Sequence, residues 1–123
     1  VHADVRAYCH SRPNTICMTH MSHVYPQGAN LYFIFLAKMS SLEEFKAYHS
    51  GILDAIQKSG AAMSHHHGIG KMFGPWLEGA VGRNEYGVIR ALKQYFDPDN
   101  IMNPGGTLGL DVPQEEKRFL KAL

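Results

Sequence analysis

The sequence predicts an α+β fold: a small antiparallel or mixed sheet with helices on one face, followed by C-terminal helices. Three observations predict it. Two runs rich in branched and aromatic residues, 15–25 and 30–38, flank the turn residues Pro26-Gln27-Gly28-Ala29. Apolar residues then recur at helical spacing as Leu42, Phe45, Tyr48, Ile52, Ala55 and Ile56. A second helical pattern occupies 84–96.

Taken in order, residues 1–12 show no firm periodicity and give way to Pro13-Asn14, a turn signal. In 15–25 the alternation points Ile16, Met18 and His20 one way and Cys17, Thr19 and Met21 the other. The short connection to 30–38 makes the two strands an antiparallel hairpin. Ser41-Leu42-Glu43-Glu44 is a capping box, a hydroxyl for an orphan N–H and a Glu to reach back, and Gly60 ends the helix. Residues 61–66 read as a short strand returning to the sheet. Gly68, Gly70, Gly74 and Pro75 break the next segment into loop, with one helical turn over 76–80. The helix over 84–96 has Val88, Ile89, Leu92, Tyr95 and Phe96 on its apolar side, and Asp97-Pro98 closes it. Residues 99–109, with Asn103-Pro104-Gly105-Gly106, are loop. Pro113 opens a terminal helix over 114–123, with Phe119, Leu120 and Leu123 on its apolar side.

Composition excludes several function classes. A chain of 123 residues with 45% hydrophobic and 19% charged residues builds one ordinary core and is not intrinsically disordered. Its longest apolar run, 31–37, falls well short of the ~20 residues of a membrane span. A net charge of +1 lacks the basic footprint of a nucleic-acid binder. Two cysteines, Cys9 and Cys17, make no disulfide framework and suit a reducing cytoplasm, with no signal peptide ahead of them. The chain opens on Val1 rather than Met and reads as a fragment.

Eight histidines is a high count, and three stand together in Ser64-His65-His66-His67-Gly68-Ile69-Gly70-Lys71. On an extended backbone His65 and His67 share a face and His66 takes the other. Three adjacent imidazoles are costly to bury without partners, which argues against a purely structural role for all three. A zinc site is the rival reading, with His20 or His23 as a further ligand, but no Asp, Glu or Cys accompanies the triplet locally. Gly68, Gly70 and Lys71 offer an anion cradle, against the plainer reading of a turn that needs glycine. Tyr32 shares a strand face with Ile34; from spacing alone it is a packing residue.

Together these stretches resemble the C-terminal part of FAD-linked oxidases of the vanillyl-alcohol oxidase superfamily, most nearly the alkyldihydroxyacetonephosphate synthases. Gly28-Ala29-Asn30-Leu31-Tyr32-Phe33-Ile34-Phe35 looks like the strand bearing their active-site tyrosine. The histidine triplet with Gly-Ile-Gly-Lys looks like theirs and is the specific part of the likeness. Trp76-Leu77 and the segment from Lys93 to Ile101 look like the closing segment, and Asn103-Pro104-Gly105 is shared widely among flavin oxidases. D-2-hydroxy-acid dehydrogenases of the same superfamily usually show Gly-Glu-His-Gly at the triplet, and several place a histidine at Tyr32. There the histidine and glutamate help bind a metal. With Tyr32 and His66 at those positions, the resemblance implies no metal.

The resemblance further implies that residues 1–80 are the C-terminal half of a ferredoxin-like substrate-cap domain and that 81–123 return to the flavin domain. It implies Tyr32, His65, His66 and His67 as catalytic residues, with His67 and Asn103 touching the cofactor. That cofactor is FAD, non-covalent and bound mainly by a preceding part of the polypeptide, since no glycine-rich dinucleotide loop is present here. The activity implied is exchange of acyl for alkyl on dihydroxyacetone phosphate through a flavin N5 adduct, with acyl-dihydroxyacetone phosphate and a fatty alcohol as substrates. The alternatives are an FAD-dependent D-2-hydroxy-acid dehydrogenase and a non-catalytic metal- or ligand-binding α+β domain. Apolar surface left uncovered in such a piece leaves room for a homodimer.

Overall fold

The alternating runs either side of Pro26 pair as expected in the computed structural model, which describes residues 1–119. Strands β1 (Ile16–Tyr25) and β2 (Gly28–Leu36) form an antiparallel hairpin in which Ile16 faces Leu36, Met18 faces Ile34 and His20 faces Tyr32. The described residues also form helices α1 (His2–His10), α2 (Leu42–Lys58), α3 (Gly70–Val81) and α4 (Arg83–Phe96), with a single 3-10 turn at Gln114–Glu116. This is an α+β architecture. The chain divides into two compact units, Val1–Ala61 and Ala62–Leu123. Among the described residues, no helix is long and apolar enough to cross a membrane.

In the first unit α1 and α2 cover one face of the hairpin. Val5 and Cys9 from α1, Cys17 from β1, and Tyr48 and Ile52 from α2 form the core, with Phe33 and Phe35 packed against it. The Tyr48 hydroxyl donates to the Cys9 carbonyl at 2.9 Å, and its ring meets Phe35 edge-on at 5.4 Å. Burial pushes the Cys9 thiol up to about 11 and the Tyr48 phenol up to about 12, so both stay protonated at neutral pH. The other hairpin face leaves Ile16, Met18, Ile34 and Leu36 exposed.

Helix α2 starts as its sequence demands, Ser41 Oγ accepting from the Glu44 N–H at 3.1 Å. The reciprocal half of the box is shifted by one residue: Glu44 Oε2 accepts from the N–H and hydroxyl of Ser40, both at 2.6 Å. Arg12 holds the other oxygen of that carboxylate at 2.6 Å.

Helix α1 corrects the reading of 1–12 as aperiodic. Its inward stripe is only Val5, Tyr8 and Cys9, too short to register as a period, and packing on α2 and β1 stabilises it.

In the second unit the expected strand over 61–66 does not form. Gly60 and Gly68 bracket the segment in left-handed conformations, and the chain bends through the histidines. Helix α3 begins at Gly70, where the glycines and Pro75 predict loop. Phe73, Trp76, Leu77 and Ala80 fall at helical spacing and outweigh the breakers, although Pro75 forgoes one backbone bond. Gly74 serves packing: a Cβ there would lie 2.8 Å from the Gly109 Cα, so a side chain would separate helix from loop.

Helix α4 forms as predicted, but its apolar side is not core. Val88, Leu92, Tyr95 and Phe96 are exposed, and the residue it buries is Tyr86. The terminal helix also departs from expectation. It stops after the 3-10 turn because the residues beyond it serve as a strap: Arg118 N–H donates to the Pro75 carbonyl at 2.7 Å, and Lys117 Nζ reaches Glu78 at 2.8 Å. Leu120 and Leu123 lie outside the described residues.

Candidate functional site

Tyr32 stands near the middle of β2, half-buried, on the hairpin face turned away from α1 and α2. Alternation places it there, because Phe33 and Phe35 are committed to the core. Its cross-strand partner is His20, and the two rings stack with centroids 5.9 Å apart and planes 26° apart. The register shifts between Ser22 and Val24, where His23 takes φ 52. This is a bulge, which twists a strand locally and re-aims the side chains beside it. Ser22 Oγ lies 2.7 Å from His23 Nδ1.

The triplet lies in the second unit, exposed, between Gly60 and α3. Successive rings touch: His65 meets His66 edge-on at 5.0 Å, and His66 meets His67 at 4.3 Å. Successive side chains of a pleated strand point to opposite faces, so these contacts require the bend. The expected division, His65 and His67 against His66, is therefore replaced by a run of adjoining imidazoles. Gly68 at φ +80 and Gly70 at φ +55 then turn the chain into α3, a path that strains any residue with a Cβ. Neither glycine has an atom within 4 Å of where a Cβ would stand, so the backbone there is open to a ligand.

Lys71, in the first turn of α3, approaches the loop that carries Asn103. A Cβ on Gly105 would lie 3.6 Å from its Nζ. Asn103 itself is left-handed, φ 50, and exposed. Its carbonyl accepts from the Gly106 N–H at 3.1 Å and the Thr107 hydroxyl at 3.0 Å. Two carboxylates that sequence reasoning did not single out shape this loop. Asp97 accepts from the N–H groups of Ile101 and Met102 at 2.8 and 2.9 Å and pairs with Lys93. The Lys93 ammonium, then these two N–H bonds, hold the Asp97 carboxyl below its usual range against the opposing effect of burial. Asp111 accepts from the Gly105 N–H at 2.7 Å. The available signal was Asp97 ending a helix just ahead of Asn100 and Asn103, where loop N–H groups need acceptors.

Within the second unit, then, the structure brings the three imidazoles together and sets Lys71 of the same motif against the Asn103–Gly106 turn. Tyr32 belongs to the first unit, beside His20.

Residues 1–107 match the family described as FAD linked oxidases, C-terminal domain. The chain is 39% identical over 95 residues to an alkyldihydroxyacetonephosphate synthase of Dictyostelium discoideum, covering 75% of this chain and 15% of that protein. It is 34% identical over 103 residues to the FAD-linked oxidoreductase YgcU of Escherichia coli strain K12, covering 78% of this chain and 21% of that protein. To the glycolate oxidase subunit GlcD of Bacillus subtilis it is 28% identical over 86 residues, 68% and 18% of the two chains. The matched stretch is thus between 15% and 21% of the length of these relatives. No solved structure matches the chain significantly.

Proposed function

The chain belongs to the C-terminal domain family of FAD-linked oxidases, and on that premise we propose that it is the substrate-facing part of a flavoenzyme of the alkyldihydroxyacetonephosphate synthase type. The observation that carries this reading is the presence in one sequence of Tyr32 and an imidazole run, His65, His66 and His67, where the hydroxy-acid branch has His and Glu. The 39% identity to the Dictyostelium synthase supports it. In this reading residues 1–80 belong to the substrate cap and 81–123 pack against the flavin-binding part. What supports the second placement is the apolar face of α4, Val88, Leu92, Tyr95 and Phe96, left exposed here.

The residues fit one edge of a flavin: imidazoles supply polar ring nitrogens, and the open backbone at Gly68 and Gly70 allows close approach. They do not supply a cradle for the ADP half. When bound, the flavin would supply an electrophilic ring nitrogen to the reacting carbon. The chain's own groups handle protons. Exchange at C1 of acyl-dihydroxyacetone phosphate needs a proton taken from C1 and returned, and a proton given to the departing carboxylate oxygen or taken from the arriving alcohol. The Tyr32 hydroxyl gives and takes protons at C1, and the three imidazoles orient the substrate and share transfer at the oxygens.

A second reading is favoured by the likeness to the glycolate oxidase subunit: net oxidation of a D-2-hydroxy acid. Release of fatty acid from acyl-dihydroxyacetone phosphate separates the two. Under the synthase reading the full-length protein releases it, and Tyr32→Phe lowers kcat by about 100-fold or more, the size of a general acid–base contribution. Absence of release, or an undiminished Tyr32→Phe, contradicts it.

A further inference from the structure

The hairpin sets Tyr32 against one particular side chain. His20 is its register partner on β1, and the rings stack 5.9 Å apart at 26°. Directly opposed side chains are the pairs that interact across a sheet and stabilise it. A phenol on a strand swings about two torsions, and a flat ring laid against it removes part of that freedom. The pair also has defined neighbours along the ladder. Towards the turn lies the bulge at His23, and on the other side Met18 and Ile34 form the next pair on the same face. Tyr32 thus has the Met18–Ile34 pair next to it along the ladder and the His20 ring across from it.

We propose that His20 is a positioning residue for Tyr32: its imidazole, stacked across the ladder, holds the phenol ring in the orientation in which the hydroxyl meets substrate. The inference rests on the proton-handling role of Tyr32 proposed above. What His20 contributes is a flat ring stacked across the ladder, so an aromatic replacement serves where a small one does not.

The test uses the flavin-loaded full-length protein and fatty acid release from acyl-dihydroxyacetone phosphate, with each variant's visible flavin spectrum and Tm matched to the parent. His20→Ala is expected to lower kcat about tenfold while KM moves by less than about twofold, because orientation and not ground-state binding is lost. His20→Phe, which keeps a ring, is expected to restore kcat to within about threefold of the parent. In a Tyr32→Phe background His20→Ala is expected to add no further loss, since the group it positions is gone. An unaltered His20→Ala, a His20→Phe no better than His20→Ala, or an equal loss in the Tyr32→Phe background would overturn the inference while leaving Tyr32 its role. A fully active Tyr32→Phe would overturn both.

Discussion

The two units are held by different physics. The first has a dry cluster, Val5, Cys9, Cys17, Tyr48 and Ile52, drawn from two helices and a strand. The second buries Trp76 and Leu77 of α3, but many of its fastenings are polar: Lys117 to Glu78, the Arg118 N–H to the Pro75 carbonyl, and the Asp97 and Asp111 carboxylates that gather the loop. Helices α2 and α4 sharpen the contrast. Both carry apolar stripes at helical spacing; α2 buries Tyr48, Ile52 and Leu53, while most of the α4 stripe is exposed. Periodicity reveals that a helix forms, and something else decides what covers it.

If the second unit depends on its strap, the largest effect comes from breaking the buried ion pair. Glu78→Ala leaves the Lys117 ammonium buried and uncompensated, and is expected to lower local stability by about 3–5 kcal/mol. Hydrogen exchange in α3 checks this, and protection in α2 is expected to change little. Ile52→Ala attacks the dry cluster instead, at about 2–4 kcal/mol, and its loss of protection is expected in α1 and α2. Ser41→Ala removes only the α2 cap and is expected to cost about 1 kcal/mol, read as fraying of the first turn of α2.

The smallest effect is one of acid. Hydrogen bonds from Ser40, then the Arg12 contact, hold the Glu44 carboxyl down to about 2 from 4.5. A carboxyl with a depressed native pKa stabilises the fold above its unfolded value. That contribution is lost as pH falls from about 4.5 towards about 2. Glu44→Gln is expected to flatten this part of the acid-unfolding curve for the first unit and to leave the second unaltered.

The hairpin, α2 and the existence of α4 are legible in the sequence because each rests on local rules: alternation about a turn, a capped amphipathic run, a closing Asp-Pro. Helix α1 is not, since Val5, Tyr8 and Cys9 make too short a stripe without their partners. The strap is not, because Lys117 and Glu78 are 39 residues apart and nothing near either announces the other. The strand expected at 61–66 shows the opposite error. Alternation predicts opposite faces for three like side chains, whereas the glycines at 60 and 68 bend the chain and lay the rings against one another. At the candidate site, Tyr32 and the triplet stand out through their resemblance to a flavoenzyme family. His20 becomes visible only through register, and Asp97 and Asp111 only through the N–H groups they collect.

The proposed function stands or falls on whether substrate leaves reduced flavin behind, and an anaerobic visible spectrum of the full-length protein reads this directly. The synthase reading predicts that D-2-hydroxy acids leave the oxidised flavin bands unchanged, while acyl-dihydroxyacetone phosphate is turned over with no lasting reduction. Bleaching by a D-2-hydroxy acid, with electrons passed on to a dye acceptor, would contradict it and make the protein a dehydrogenase.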